Sequence, residues 1–507
     1  MREWGAAMPT MNKSDRRVPR APLSLSLLAA ALLLAGCSMI PTYERPEAPV
    51  ASDWPSNVAF AAAGGAQQPP VARAADLPWQ DYFADERLRR LIGLSLDNNR
   101  DLRLAMLNVE QVRAQYQIQR ANLFPTVNLS STAQRAPSPI NGNLTNSFNV
   151  GLAVSAWEID FFGRLSSLKE QALALYLASE EGRKAAQISL VSAVANGWLA
   201  LLADEELIDL SRRTVATREE SIRLTKLRLD NGVASELDFR QAESLTETAR
   251  ATLAQQLRQR ALDENALVLL LGQPLPEDLR AETVRLRLAD APQLAELPAG
   301  LPSELLANRP DIRQSEQQLL AANANIGAAR ANFFPRIALT AQAGTASNEL
   351  DGLFKSGSWG FTLAPQLLLP IFDAGRNRAG LASATAGRDI AVAQYEKSIQ
   401  TAFREVADAL AGRATLGEQL RAQQAQAQAE SIRFNLSDLR YKNGVASYLD
   451  LLDAQRSLFT AQQLAVQTRL LQLQNQVALY RVLGGGWTEP PAVPVAVAAP
   501  GAPGATR

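Results

Sequence analysis

Two stretches of the sequence are almost identical: residues 231–238 are Asn-Gly-Val-Ala-Ser-Glu-Leu-Asp, and residues 443–450 are Asn-Gly-Val-Ala-Ser-Tyr-Leu-Asp. A second pair of motifs occurs in the same order, Ala-Asn-Leu-Phe-Pro at 121–125 and Ala-Asn-Phe-Phe-Pro at 331–335. The shared offset of roughly 210 residues is far longer than a solenoid repeat. The chain is therefore predicted to contain two copies of one large unit.

Each copy is predicted to consist of a helix, a strand, a loop, a strand, a very long helix, a tight turn and a helix. The first helix is expected from about Arg87 to Ala121, because the Phe-Pro pair that follows disfavours helix. After Gly163 the chain has no proline and few glycines until Asn231. At 1.5 Å per residue this stretch predicts a helix of roughly 100 Å.

The long helices have apolar residues at the spacing of a coiled-coil seam. In the first copy these positions are Ile188, Val191, Ala195, Trp198 and Leu202. In the last helix they are Val466, Leu470, Leu473, Val477 and Tyr480. Glu205 and Asp209 are expected to interrupt the first seam.

Four segments alternate apolar and polar residues, which indicates strands with one apolar and one wet face. The clearest segment is 148–157, and each is about ten residues long, as a tilted transmembrane strand needs. An open sheet edge is unstable in lipid, and closed membrane barrels start at about eight strands. Several copies of the chain are therefore predicted to share one barrel, with a soluble sandwich as the alternative.

The N-terminal residues are typical of an export signal. Basic Arg16, Arg17 and Arg20 precede an apolar run that is shorter than the ~20 residues of a membrane span. The run ends in Leu-Ala-Gly-Cys at 34–37, which resembles a bacterial lipobox. Cys37 is therefore predicted to become the acylated first residue of the mature protein.

Composition excludes several function classes. The chain has 51 basic and 51 acidic residues, no histidine and one cysteine. Balanced charge without a basic run argues against nucleic acid. The commonest general base and metal ligand is absent, and so is the phosphate-binding glycine loop of nucleotide hydrolases. No catalytic residue, metal or cofactor is predicted, and an enzyme is not expected.

The lipobox, the duplication, the Phe-Pro strand entries and the paired turns resemble the outer-membrane factor (TolC-like) family, in its OprM-like, NodT-type branch of efflux lipoproteins. The resemblance extends from about Tyr43 to Trp487. It implies an α+β membrane protein that forms a homotrimer. Four strands per chain would build a 12-stranded outer-membrane barrel, continued by a long periplasmic α-helical barrel with a small mixed equatorial domain.

This resemblance divides the chain into six segments. They are a signal peptide (1–36), a lipidated N-terminus with an equatorial segment (37–86), repeat 1 (87–272), an equatorial linker (273–300), repeat 2 (301–483), and a C-terminal equatorial segment whose tail is expected to be disordered (484–507).

The resemblance also implies the function. The protein would be the channel subunit of a tripartite multidrug efflux system, lipid-anchored in the outer membrane of a Gram-negative bacterium and extending into the periplasm. Its partners would be a periplasmic adaptor (membrane fusion) protein, an inner-membrane proton-driven RND-type pump and outer-membrane lipid. Two alternatives stay open: the duct of a type I protein secretion system, and a lipid-tethered periplasmic coiled coil without a pore.

The residues of both Asn-Gly turns match the family's adaptor-contact tips. They are Gly232, Val233, Ala234, Ser235, Gly444, Val445, Ala446 and Ser447. Both Asn and Gly tolerate positive φ, so each pair is expected to allow a tight reversal. The small side chains would let an adaptor backbone approach closely.

Leu449, Asp453 and Arg456 match the family's periplasmic constriction. Asp453 and Arg456 are three residues apart, so they can pair on one helix face. Three-fold symmetry would place three copies of Asp453 around the axis, and such a ring can select ions or drive opening. The first repeat has Leu237, Gln241 and Ser244 at these positions, so the gate is predicted in the second repeat.

Overall fold

The computed structural model describes residues 38–51, 74–137, 142–291, 294, 295, 297 and 302–487. The predicted signal peptide, Cys37 and residues 488–507 lie outside the described residues. The described residues belong to two compact units. The sheet unit contains the residues up to Pro41, Gln119–Lys169 and Ala324–Ala384, and the helical unit contains the remainder.

The described residues include ten α-helices, numbered here in chain order. They are α1 (Trp79–Tyr82), α2 (Glu86–Asn98), α3 (Arg100–Ala121), α4 (Arg164–Asp230), α5 (Glu236–Leu271), α6 (Glu277–Thr283), α7 (Pro302–Asn308), α8 (Pro310–Ala331), α9 (Arg376–Lys442) and α10 (Tyr448–Val482). Helices α4 and α9 have 67 residues each, which confirms the predicted very long helices.

The prediction of one helix from 87 to 121 was wrong, because Asn99 interrupts the helix and separates α2 from α3. The backbone of Asn99 is extended there, with φ −63° and ψ 131°. Its Oδ1 accepts the backbone N–H of Leu102 at 2.9 Å, and its Nδ2 donates to the carbonyl of Leu270 at 2.9 Å. The side chain caps the new helix and ties it to α5, which offsets the loss of helix continuity.

The sheet unit contains a four-stranded antiparallel sheet. Its strands are β1 (Val127–Pro137), β2 (Leu144–Ile159), β3 (Arg336–Ser347) and β4 (Trp359–Leu368), in the spatial order β1-β2-β3-β4. Gly151 pairs with Gly344 in the register, and a Cβ on either glycine would overlap the backbone of the other strand. Glycine is therefore required where β2 and β3 approach this closely.

The register places the predicted apolar residues on one face of the sheet. Leu129 pairs with Leu152, Leu152 with Ala343, and Ala343 with Phe361. The opposite face has polar and small residues, such as Asn128 and Gln342. Leu129 and Phe361 are 77% and 74% exposed in the single chain. The sheet thus presents an open apolar face, as the alternation predicts.

The helical unit contains the main core. The predicted seam residues of α4, from Ile188 to Leu202, are all buried, and Leu473, Val477 and Tyr480 of α10 join them. Tyr480 stacks on Tyr82 with ring centroids 4.0 Å apart. Among the described helices, α4 alone has a stretch apolar enough to cross a membrane, and 61% of that stretch is buried. Core packing therefore accounts for its composition.

The seam of α4 also contains charge. Glu205 does not interrupt it, contrary to the prediction, because this side chain is buried and accepts from Arg260 Nε at 2.7 Å. The next seam position, Asp209, does interrupt the buried seam, because its side chain is 49% exposed. Next to Glu205, burial raises the pKa of Asp204 to about 8, helped by a hydrogen bond to Asp263. The carboxyl of Asp204 on α4 is thus more easily protonated than that of an ordinary aspartate.

We expect Asp204→Asn to stabilise the protein at alkaline pH. A carboxyl whose pKa is raised in the folded state holds a proton that the unfolded chain releases between about pH 4 and 8. Stability from this group is full below that range and is lost as pH rises to 8. The amide keeps the hydrogen bond to Asp263 without ionising, so the gain should be on the order of a few kcal/mol at pH 9 and shrink towards zero as the pH falls to about 4.

Thermal unfolding of the detergent-solubilised protein across pH 5–9 measures this effect. Asp209→Asn on the same helix serves as the control, because Asp209 is exposed and paired with Arg213. Equal pH profiles for wild type and Asp204→Asn would show that Asp204 is ionised in the folded state.

Candidate functional site

The turn between α4 and α5 reverses the chain within a few residues. Gly232 has a φ of 70°, which an L-residue rarely adopts. Its N–H donates to the carbonyl of Leu229 at 2.9 Å, and that of Val233 donates to Arg228 at 2.8 Å. Ser235 then caps α5 in a reciprocal capping box with Asp238.

The turn between α9 and α10 repeats these interactions. Gly444 has a φ of 72°, and Ser447 forms the same capping box with Asp450. Only the glycine of each pair adopts a positive φ, since neither Asn231 nor Asn443 does. Each asparagine Nδ2 instead donates to the carbonyl four residues earlier at 2.7 Å. The side chain therefore closes the end of the long helix.

Both turns expose an apolar tip. Val233 is 76% exposed and Val445 is 67% exposed, while Ala234 and Ala446 are half-buried. The two turns thus present the same small surface twice within the helical unit.

The residues predicted for the gate line a single cleft. Its volume is about 410 Å³, and it lies between α5 and α10. The lining residues are Arg240, Gln241, Ser244, Leu245, Leu449, Leu452, Asp453 and Arg456. The structure therefore brings the second-repeat residues together with Gln241 and Ser244, their uncharged counterparts from the first repeat.

Asp453 is held by two arginines. Arg456 Nη2 donates to Oδ1 at 2.7 Å, and Arg433 Nη2 from α9 donates to Oδ2 at 2.6 Å. The hydrogen bond from Arg433 is the main cause that lowers the pKa of Asp453, with Arg456 adding to it. The carboxylate therefore stays charged well into the acid range. The predicted Asp453–Arg456 pair forms, and Arg433 links it to the other helix of the hairpin.

Arg433 was missed in the sequence because spacing along one helix does not reveal a partner on another. One signal was present: Arg433 and Asp453 are nearly equidistant from the turn at Gly444, so an antiparallel hairpin places them side by side. Leu449 is 62% exposed one turn before Asp453. Its side chain is thus available for contacts beyond this chain.

Aromatic contacts join the two hairpins beside the cleft. The hydroxyls of Tyr448 and Ser221 are 2.9 Å apart, which connects α10 with α4. The guanidinium of Arg228 lies 4.6 Å from the ring of Tyr441, and the rings of Tyr441 and Tyr448 are 5.2 Å apart. These contacts connect the hairpin of α4 and α5 with the hairpin of α9 and α10.

Among the described residues, no group of three or more Cys, Asp or Glu side chains is arranged to hold a metal ion. At the cleft, Asp453 pairs with Arg433 and Arg456, whereas Arg240 pairs with Glu236 and Glu243. The charged side chains of the cleft are therefore held in ion pairs.

Comparison with known proteins identifies the family. A family model described as "Outer membrane efflux protein" matches residues 91–273 and again residues 301–485. The toluene efflux pump outer membrane protein TtgC of Pseudomonas putida is 48% identical over 471 residues, which cover 92% of this chain and 96% of that protein. Outer membrane protein OprJ of Pseudomonas aeruginosa is 45% identical over 472 residues, with 92% and 96% coverage.

Solved structures show the same fold. The open state of the MtrE outer membrane channel of Neisseria gonorrhoeae aligns with a TM-score of 0.80 at 43% identity, covering 89% of this chain and 99% of that chain. The CusC structure aligns with a TM-score of 0.75 at 36% identity, covering 89% of this chain and 100% of that chain. The predicted fold class, with four strands and long helices in two repeats, is confirmed. This chain belongs to the outer membrane efflux protein family.

Proposed function

We propose that this protein is the outer-membrane channel subunit of a tripartite multidrug efflux system, a passive exit duct for small molecules. The observation that carries this proposal is the four-stranded sheet with an exposed apolar face. Such a sheet fits a bilayer only when further strands cover its edges. Membership of the outer membrane efflux protein family places the chain in the outer membrane of a Gram-negative bacterium.

A homotrimer would provide hydrogen-bonding partners for the two edge strands of the sheet. Three copies contribute twelve strands, which is within the range of closed membrane barrels. The apolar face with Leu129 and Phe361 would meet lipid, and the polar face would line water. The long helices would continue the duct into the periplasm. Lipid attached to Cys37 would add a second anchor.

Asp453, Arg456 and Leu449 form the gate in this proposal. The ion pair between Arg433 and Asp453, called the latch below, holds the gate closed. In a trimer the Asp453 side chains recur around the axis, and Leu449 adds an apolar ring one turn away. Arg433 neutralises Asp453 and ties α9 to α10, which keeps each hairpin closed. Exposed ion pairs contribute only about 0–1 kcal/mol each, so three such latches can be opened by a binding partner.

The two turns would receive the partner. Gly232, Val233, Ala234 and Ser235, with Gly444, Val445, Ala446 and Ser447, present little bulk and two apolar tips. A periplasmic adaptor protein would dock there and connect the duct to an inner-membrane proton-driven RND-type pump. The pump supplies the energy, so this chain performs no catalysis and needs no cofactor.

Breaking the latch should open the channel. We expect Arg433→Ala, and also Asp453→Ala combined with Arg456→Ala, to raise single-channel conductance in planar bilayers several-fold over a low wild-type value. Arg421→Ala is the matched control, because Arg421 lies on the same helix and forms an exposed pair with Glu418. A folded and inserted Arg433→Ala channel with wild-type conductance would contradict the latch.

The single-channel conductance is also expected to depend on pH. The pKa of Asp453 is lowered in the folded protein, so the ion pairs are present above the ordinary aspartate pKa and are lost only as pH falls through the lower folded value. We expect wild-type conductance to stay low down to about pH 4. Opening in mildly acid solution, near pH 6, would implicate another group.

The lipid anchor is tested separately. We expect wild-type protein grown with labelled palmitate to incorporate the label, and Cys37→Ser to lose it completely. Ser38→Ala serves as the control and should keep the label. Label that persists in Cys37→Ser would show that the acyl group is attached elsewhere or that the lipobox is not used.

The adaptor contact is tested by photo-crosslinking in the native host. A photoreactive residue at Val233 or Val445 should give a crosslink to a periplasmic adaptor protein, because both side chains are exposed at the turns. Leu104 of α3 is 64% exposed and provides the control position. Equal crosslinking at Leu104, or none at the turns, would argue against docking at this surface.

A further inference from the structure

Among the described strands, β1 and β4 each have a neighbour on one side only. In an antiparallel sheet the backbone N–H and C=O of a residue point to the same side, and this side alternates along the strand. Just before β4 begins, the N–H of Ala346 donates to the carbonyl of Ser358 at 2.8 Å. Counting on from that pair, the even-numbered residues of β4 bond to β3. The odd-numbered residues, from Trp359 to Leu367, therefore direct their backbone groups to the free edge.

The same alternation fixes which residues of β1 face the opposite free edge. Gly344 of β3, Gly151 of β2 and Ser130 of β1 are successive partners in the register. The backbone bonds of Gly344 go to β4, so those of Gly151 go to β1 and those of Ser130 return to β2. The odd-numbered residues of β1, from Val127 to Pro137, therefore point outwards.

Two prolines support this assignment. Pro137 of β1 and Pro365 of β4 both stand at outward-pointing positions. Proline has no N–H, so a strand tolerates it where no neighbour within the same sheet needs that donor. The other outward-pointing residues expose regularly spaced donors and acceptors, which require a further strand in a bilayer.

The joint between β2 and β3 is a template for that further strand, because it connects the last strand of repeat 1 to the first strand of repeat 2. Beyond its β-bulge, Ile159 pairs with Ile337. Ile337 corresponds to Val127, since each is the second residue after a Phe-Pro pair. Ile159 corresponds to Ile371, since each lies four residues before a glycine with positive φ. Repeating the joint between two copies therefore places Ile371 opposite Val127 of the next copy.

The part of the joint before the β-bulge gives the same register. There Gly151 pairs with Gly344. Gly344 corresponds to Gln134, since each is ten residues after the phenylalanine of its Phe-Pro pair. Gly151 corresponds to Ala364, because their partners across each hairpin are also equivalent. Ala364 is therefore expected opposite Gln134 of the next copy, and a step of seven residues along each strand leads from this pair to the previous one.

Apolar side chains at the outer edges are more exposed than their counterparts at the internal joint. Ile159 and Ile337 are half-buried, whereas Ile371 and Val127 are 88% and 60% exposed. The outer edges thus repeat a surface that the chain already pairs internally, without its cover. A second copy of the chain fits these edges better than an unrelated partner.

We propose that β4 of one copy pairs antiparallel with β1 of the next copy, with Leu367 opposite Ser131 and Ala364 opposite Gln134. Leu367 and Ser131 both direct their backbone groups outwards, so this register forms hydrogen bonds between the copies, whereas a shift by one residue would not. The joint is head-to-tail and can close into a ring. It specifies the strand pairing of the multi-chain duct and therefore rests on the proposed function.

The experiment is disulfide crosslinking of the full-length protein in outer membranes. The matched pairs are Thr132→Cys with Gln366→Cys, and Gln134→Cys with Ala364→Cys. The slipped pairs recombine the same four substitutions, as Thr132→Cys with Ala364→Cys and Gln134→Cys with Gln366→Cys. Any effect of a substitution on folding is therefore shared by matched and slipped pairs. Each single-cysteine variant is the control for crosslinks through Cys37, the one natural cysteine.

The matched pairs are even-numbered, so they are non-hydrogen-bonded in the proposed joint. Such partners have Cα atoms about 4.5 Å apart, which suits a disulfide, whereas diagonal neighbours are about 7–8 Å apart and lie outside its range. After oxidation we expect both matched pairs to give covalent dimers and trimers on non-reducing gels, at least about tenfold more than either slipped pair.

Two results would overturn the proposed register. One is a slipped pair that crosslinks as efficiently as the matched pairs, and the other is the absence of crosslinks from both matched pairs. Conductance of the wild type in planar bilayers tests the duct separately. Matched crosslinks without conductance would support the joint and reject the duct, and conductance with slipped crosslinks would reject the register and keep the duct.

Discussion

Backbone hydrogen bonding in a membrane is the constraint on which the rest of this structure depends. Hydrocarbon offers no partner to a free amide or carbonyl, so every strand in it needs a neighbour on both sides. This chain supplies four paired strands, with β1 and β4 at the outside of the sheet. Further copies of the chain meet the need of those outer strands. The proposed multi-chain duct follows from the need to close the sheet.

The two repeats share the same turn structure but differ in the charged residues at equivalent positions. Both turns keep the same glycine φ, asparagine hydrogen bond and capping box, because the same residue types recur at the same positions. The charges do not recur. Asp453 corresponds to Gln241, and Arg218 corresponds to Glu430. The proposed gate therefore occurs once per chain, although the helices that form it occur twice.

Charged and titratable groups inside the helical unit are accommodated in different ways. Glu205 is buried but bonded to Arg260, and Asp204 avoids ionisation through its raised pKa beside Asp263. Arg218 has neither solution, since it is buried without a carboxylate partner among the described residues. The chain compensates Asp204 with a neighbouring carboxyl, whereas Arg218 has only the carbonyl of Leu245 and the ring of Phe459.

The long helices, the turns and the faces of the strands were predictable from the sequence, because each depends on residues close together in the chain. The duplication was recognisable from its repeated motifs. The interruption of the helix at Asn99 was not predicted, since helical periodicity continues across it. The hydrogen bond that compensates for the interruption joins the Asn99 side chain to the distant carbonyl of Leu270. Tertiary packing alone brings Arg433 to Asp453 and places Arg218 and Gln455 at the same cavity. A heptad pattern specifies which side of a helix is buried. It does not specify which residue of another helix lies opposite, and that register is set by packing of the whole bundle.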